Sequence, residues 1–428
     1  MYQTLFHIPH EVFGLPVFGA GILLALWLFF SAVWFAYLIW RQGMGADALG
    51  HLPLLLLVAA AIWQLLPALL DEEGLPIRGY GTMLVAAFAA SFGMAAWRGR
   101  RAGFSTDILF SLAGWMFLLG VAGARLFYVI EYWESFRKAT FGGTIWAVLN
   151  VAEGGLVVFG GFFGGMAALI YFTVRYRLPA LNLLDVLAPA MMVGLAFGRV
   201  GCLLNGCCFG GVTDLPWAVT FPPGTPPYEW QVRRGMIPVQ GIHFAGEPYE
   251  VAEVADVVPD SPAARAGLAP GDRIVAVIDH SAEEPLLYPV RYTAEAERAL
   301  VQLFRPGREV GLEVYDRSPV GWTVEDDLPR SLPIHPTQAY AVVNAILILL
   351  VLVAFEPLRR RGGESFALLI TLYPISRIAL EAIRTDEGAV FATGLTISQL
   401  VSVGLLCIAA AFWLYLLRQP PSRAGNGA

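Results

Sequence analysis

The sequence predicts an all-α polytopic membrane bundle of about nine transmembrane helices, with an inserted α+β domain on the outer face. Three observations carry this. Apolar residues make up 57% of the 428 and charged residues 14%, more apolar surface than a soluble core of this length needs. Apolar runs of about 18 residues or more recur, each long enough to cross a bilayer. One stretch, 205–335, breaks the pattern and is polar and rich in proline and glycine. The net charge of −6 argues against a nucleic-acid partner.

The runs fall at 16–40, 52–70, 80–97, 106–130, 155–174, 184–204, 336–356, 365–384 and 394–417. Arginines follow alternate runs. Arg41 follows the first, Arg98, Arg100 and Arg101 the third, and Arg175 and Arg177 the fifth. Arg359 to Arg361 follow the seventh, and Arg418 and Arg423 the ninth. The positive-inside rule makes those ends cytoplasmic, with the N-terminus outside and the C-terminus inside. No basic n-region or small-residue cleavage site precedes the first run, so it reads as a retained span. "GLPVFGAG" (14–21) recurs as "GLPIRGYG" (74–81). Residues 1–73 therefore read as an N-terminal extension carrying two of the spans.

Within the polar stretch lies "VVPDSPAARAGLAPGDRIVAVI". Ser261 is a helix N-cap, Pro262 fits the first helical position and Gly267 the C′ position. Gly271-Asp272 is a turn, and Arg273–Ile278 alternates as a strand. A helix over Thr293–Gly307 and a strand over Arg308–Arg317 follow. This order, with its SPAxxAGLxPGD signature, resembles a PDZ domain of the bacterial protease type over 243–318. PDZ domains take extended peptides by strand addition, so the resemblance implies a peptide ligand. A β-rich spacer without a ligand is the alternative. The insert divides the rest into 74–242 and 319–428.

Charged residues inside membrane spans are costly and mark functional candidates. Arg125 lies in the fourth span and Arg199 in the sixth. The eighth holds "LYPISRIALEAIRTDEG", in which Tyr373, Arg377, Glu381 and Arg384 share one helical face by their spacing. Two readings are open: an ion-pair network that locks helices together, and a cationic pocket for an anionic headgroup, whose phosphate oxygens match arginine forks. His335 sits just before the seventh span. The glycine run 153–165 allows close helix approach, or close approach of a ligand to backbone.

The order of these motifs resembles the prolipoprotein diacylglyceryl transferase family. It runs Tyr80-Gly81, GARLFY around Arg125, GG-x₄-GG ending in Gly160 and Gly161, and GRxGxxxNG from Gly198 to Gly206. HPxQ (His335 to Gln338) and Tyr-x₃-Arg-x₃-Glu-x₂-Arg follow. The resemblance covers 74–417 apart from the insert. It implies transfer of a diacylglyceryl group from phosphatidylglycerol to the thiol of a lipobox cysteine in a prolipoprotein signal peptide, at the bacterial cytoplasmic (inner) membrane, with no cofactor and no metal. It assigns Tyr80, Arg199, Asn205, Cys207 and Glu381 to catalysis. Substrate binding falls to Arg125, Gly160, Gly161, Gly210, His335, Gln338, Tyr373, Arg377 and Arg384. Two departures stand out. Phe159 occupies the position of a family histidine, and Cys202 and Cys207 those of an asparagine and a glutamate. The acceptor of the thiol's proton is then open among Glu381, Glu153, Tyr80 and Cys207. A non-catalytic lipid- or peptide-binding protein that kept the arginine pocket is the alternative function.

Cys202, Cys207 and Cys208 are three of the chain's four cysteines. A metal site, a disulfide at an oxidising face, a thiolate activated by Arg199, and plain packing are all open readings.

Overall fold

The computed structural model describes residues 3–42, 52–71, 73–137, 140–150, 155, 157–247, 249–281, 284–303, 307–325, 329–385 and 394–421. In chain order they form β1 (Thr4–Ile8), β2 (Glu11–Val12), β3 (Leu15–Pro16), α1 (Ile22–Gln42), α2 (Leu52–Ala60), β4 (Leu75–Arg78), α3 (Gly79–Arg101) and α4 (Thr106–Glu131). Next come α5 (Trp133–Phe136), α6 (Phe141–Leu149), α7 (Val158–Arg175), α8 (Ala180–Asn205) and α9 (Pro226–Val232). The polar stretch continues with β5 (Ile242–Phe244), β6 (Val254–Val257), α10 (Pro262–Arg265), β7 (Ile274–Asp279), β8 (Leu286–Pro289), α11 (Thr293–Gln302), β9 (Glu309–Val314) and β10 (Val320–Thr323). The chain closes with α12 (Thr337–Phe355), α13 (Glu364–Glu381) and α14 (Ile397–Arg418).

Six helices among the described residues are long and apolar enough to span: Ile22–Arg41, Gly79–Arg101, Thr106–Glu131, Ala180–Asn205, Thr337–Leu358 and Ile397–Arg418. The chain is a multi-pass membrane protein. The three other expected spans differ for local reasons. Run 52–70 breaks into α2, a π turn at Ala61–Leu65 and a 3₁₀ turn at Pro67–Leu69, where Pro67 has no N–H for the helical ladder. Run 155–174 is helical as α7. Run 365–384 is helical as α13, which carries Glu364, Arg377 and Glu381. The expectation of an all-α bundle outside the insert needs correction. β1 pairs antiparallel with β4, and β2 with β3, because short extended segments flank α1 and α3.

The chain divides into two compact units. The first comprises Met1–Met83, Leu204–Cys207 and Thr220–Leu332; the second comprises Leu84–Leu203, Cys208–Val219 and Pro333–Ala428.

In the first unit, β10-β9-β7-β8 form an antiparallel sheet and β5-β6 a second, two-stranded one. The expected local signals are in place. The Ser261 hydroxyl accepts from the Ala264 N–H at 3.2 Å, Pro262 opens α10, and Gly267 follows it at φ +88°. The core runs from Tyr228 and Val232 through Ile274, Leu300 and Leu312 to Trp322 and Val324, wider than the stretch 243–318.

In the second unit, α4 and α7 meet through glycines. A Cβ on Gly160 would lie 2.2 Å from the Gly123 carbonyl oxygen, and one on Gly164 2.0 Å from that of Leu119. No side chain fits such distances, so backbone approach here requires glycine. Gly164→Val is expected to abolish the monodisperse species in detergent size-exclusion chromatography. Gly165→Ala, whose added carbon meets only the Met116 methyl at 3.9 Å, is expected to preserve it. Two apolar clusters complete the unit. Leu109, Leu112, Phe172, Leu183 and Val186 form one, and Ala188, Met192, Ile348, Leu352 and Leu369 the other.

Candidate functional site

The second unit builds its site from three segments. α13 supplies Tyr373, Arg377 and Glu381, and Arg384 lies in the turn just past its end. The Glu381 side chain has no exposure to solvent. Its Oε2 faces Arg377 Nη2 at 2.9 Å and accepts from Arg384 Nη1 at 3.3 Å, while its Oε1 accepts from the Thr396 hydroxyl at 3.2 Å. Arg377 also donates to Ser398 Oγ at 2.9 Å. The spacing of four and three residues places these side chains on one face, as the sequence implies.

Arg199, on α8, comes into electrostatic range of Tyr373, Cys202, Cys208 and Arg384. Arg377 lies in range of Arg384, Glu381, Arg199 and Tyr373. Arg377 and Arg384 therefore share the Glu381 carboxylate, and Arg199 lies in electrostatic range of both. Among the described residues, no acid stands within ion-pair distance of Arg199.

The third segment is the stretch just after α8. Gly210 donates its N–H to the His335 carbonyl at 3.1 Å and forms a β-bridge with Arg384. Gly211 donates to the Ile383 carbonyl at 3.1 Å, and His335 donates its N–H to the Gly211 carbonyl at 3.0 Å. This stretch therefore ties the start of α12 to the end of α13. A Cβ at Gly210 would lie 2.6 Å from His335 Cβ, so the glycine is required for the join. The His335 ring shares its Nδ1 with the Tyr340 hydroxyl at 3.4 Å, and that hydroxyl accepts from Trp217 Nε1 at 2.7 Å. Gln338 is fully buried in the first turn of α12. Cys208 adopts φ +60°, an uncommon conformation for a non-glycine residue, and its carbonyl accepts from the Thr337 hydroxyl at 2.6 Å.

The remaining expected site residues have the following surroundings. Arg125 is buried, and its guanidinium donates to the carbonyls of Ala147, Val148, Asn150 and Gly155 at 2.7–3.1 Å. It satisfies the last carbonyls of α6 and those of Asn150 and Gly155. Gly160 and Gly161 are within α7, and Gly160 faces Gly123 in the helix contact. Tyr80, Asn205 and Cys207 belong to the first unit. There Tyr80 sits in the first turn of α3, 40% exposed, and the Asn205 carbonyl accepts from Gln3 Nε2 at 3.3 Å. Glu153 lies outside the described residues.

Thr396, Ser398 and Thr337 escaped the sequence reading. For Thr396 a signal existed: Thr396 and Gln399 form a capping box at the start of α14, which fixes the threonine hydroxyl beside Glu381.

Comparison with known proteins gives the arrangement its context. A family model described as "Prolipoprotein diacylglyceryl transferase" matches residues 67–415. A protein of Rhodopirellula baltica, named phosphatidylglycerol–prolipoprotein diacylglyceryl transferase, is 36% identical over 98% of this chain and 89% of its own length. Proteins of the same name from Synechocystis sp. and Geobacter sulfurreducens are 30% and 35% identical. Those alignments cover 36% and 35% of this chain, and 53% and 57% of the relatives. A match running through both the arginine-bearing helices and the stretch between them leaves one assignment: the chain belongs to the prolipoprotein diacylglyceryl transferase family.

Proposed function

We propose that this protein transfers a diacylglyceryl group from phosphatidylglycerol to the cysteine thiol of a prolipoprotein lipobox. The cysteine sulfur attacks the glycerol carbon that carries the phosphate. The C–O bond breaks, and glycerol phosphate leaves with the electron pair. The observation that carries this reading is that Arg377 and Arg384 share the Glu381 carboxylate while Arg199 lies in electrostatic range of both arginines. Glu381 orients Arg377 and Arg384, and their guanidiniums together with that of Arg199 supply the donors that meet the phosphodiester. Arginine forks hold its oxygens and stabilise the charge that grows on the leaving oxygen. Both carboxylate oxygens of Glu381 already accept from donors, so Glu381 holds the arginines and is a poor acceptor for the thiol's proton. Tyr80, Cys207 and Glu153 remain the candidates for that proton, with Asn205 two residues before Cys207. Arg125 satisfies the carbonyls at the end of α6.

The alternation of arginines supports about nine crossings of the inner membrane, with the N-terminus and the insert outside and the C-terminus cytoplasmic. The insert's element order and its Ser-Pro-capped α10 support a PDZ-like module that docks an extended peptide.

The test is direct. Purified protein in phosphatidylglycerol nanodiscs is incubated with a lipobox peptide, and the thioether product and released glycerol phosphate are measured. The expected result is product from the native chain and a loss of about a hundredfold or more in Arg199→Ala, the scale of losing one charge-stabilising donor. Headgroup binding without any product would favour a non-catalytic lipid-binding protein instead.

A further inference from the structure

The first unit holds a cavity of about 720 Å³ between β5, α11 and the segment that follows α9. Trp230, Met236, Ile237 and Phe244 supply apolar wall, and Thr293 and Glu297, one turn apart on α11, supply the polar face. Glu297 is only 8% exposed. Among the described residues, none donates a hydrogen bond to its carboxyl and no cation stands within ion-pair distance of it. The two arginines that line the cavity are engaged: Arg233 with Glu229 at 3.1 Å, and Arg234 over the Trp230 ring at 4.5 Å. His243 on β5 and Glu247 complete the titratable lining. Burial pushes the Glu297 carboxyl up to about 7, with Arg233 pulling it back. A buried carboxyl without a donor destabilises a fold, and a cation would relieve that cost.

β5 pairs with β6 in a two-stranded sheet, and its residues Ile242, His243 and Phe244 line the cavity. The turn before it closes on itself. Val239 and Ile242 exchange N–H to carbonyl bonds at 3.0 and 2.9 Å. The Gln240 side chain donates to the Leu300 carbonyl at 3.0 Å and accepts from Trp322 Nε1 at 2.7 Å. The Ile242 N–H is thereby spent and does not serve a peptide's terminal carboxylate. The arrangement fits an internal strand rather than a chain end.

We propose that this cavity seats a lysine or arginine side chain of an extended internal peptide segment, with the aliphatic stem on the apolar wall and the charged head on Glu297. The inference rests on the peptide-docking reading of the insert. The apolar wall with one acid at its end matches the two-part chemistry of a long basic side chain, and charge complementarity selects it over an acidic or purely apolar one.

The test uses the full chain in nanodiscs and fluorescein-labelled peptides of alternating valine and threonine, capped at both ends, with lysine, norleucine or glutamate at the centre. Fluorescence anisotropy is expected to show the lysine peptide binding about tenfold tighter than the norleucine peptide, a difference of roughly 1.4 kcal/mol. Glu297→Gln is isosteric and removes a buried charge, so folding is preserved. It is expected to bring the lysine peptide down to the norleucine level and leave norleucine binding unchanged. Equal affinity for the two peptides, or a preference that survives Glu297→Gln, overturns the assignment while the docking surface stands. An uncapped peptide binding far tighter than its capped form overturns the internal-strand part. No binding of any peptide overturns the docking reading and this assignment with it.

Discussion

Glu381→Ala is expected to abolish diacylglyceryl transfer and to destabilise the protein by about 3–5 kcal/mol, the cost of breaking a buried pair from one side. The carboxylate is fully buried and lies between Arg377 at 2.9 Å and Arg384 at 3.3 Å. Without it the two guanidiniums repel each other, and Thr396 loses its acceptor. Glu381→Gln separates the two effects. The amide keeps the shape and can still accept from Thr396, but carries no charge to hold the arginines. It is expected to fold, to bind phosphatidylglycerol more weakly, and to lose product formation by about a hundredfold. Product at the native rate from Glu381→Gln would show that the arginines hold their positions without it. Thermal melts in detergent, read beside the transfer assay, distinguish a folding loss from a chemical one.

Asp185→Ala is expected to cost a similar amount of stability, about 3–5 kcal/mol, without touching the arginine cluster. Asp185 has no exposure to solvent. Its carboxylate accepts from the Gly363 N–H at 2.6 Å, from the Phe366 N–H at 3.0 Å and from Arg359 Nη1 at 2.9 Å. The first two are orphan amides at the start of α13, so an aspartate on α8 serves as the cap of a helix about 180 residues away. Gly363 itself sits at φ +92°, so its neighbours in sequence offer no ordinary cap. The variant is expected to melt earlier and to lose amide-exchange protection over 364–370. Asp185→Asn, which keeps one carbonyl oxygen, is expected to fall between the two. Unchanged protection in Asp185→Ala would show that the start of α13 is held by packing alone.

These two acids show where sequence reading works and where it stops. Glu381 was legible because its partners are local: spacings of four and three residues on one helix place charges together whatever the rest of the chain does. The charges also sit in an apolar run, where they are too costly to be incidental. Asp185 was not legible. Its partners lie on a different helix, and an isolated aspartate in an apolar run carries no sign of what it faces. Arg125 shows the opposite failure. Its place within an apolar run was plain, but four backbone carbonyls accept from its guanidinium, and those belong to residues 22 or more positions away in sequence. The glycines of α7 were legible as small residues, and the structure supplies their partner, the Gly123 face of α4.

The sequence by itself determined that the chain is a multi-pass membrane protein, that 205–335 is polar between apolar runs, and which ionisable residues fall within apolar runs. Those properties follow from hydropathy, periodicity and caps, all short-range. Only the tertiary structure decided that Arg199 comes into range of Arg377 and Arg384, that Gly210 ties His335 to the Arg384 turn, and that Glu297 lines a cavity with no counter-ion among the described residues. Each of those depends on which helix or strand lies against which. That choice is made by the packing of side chains remote in sequence, and no local pattern encodes it.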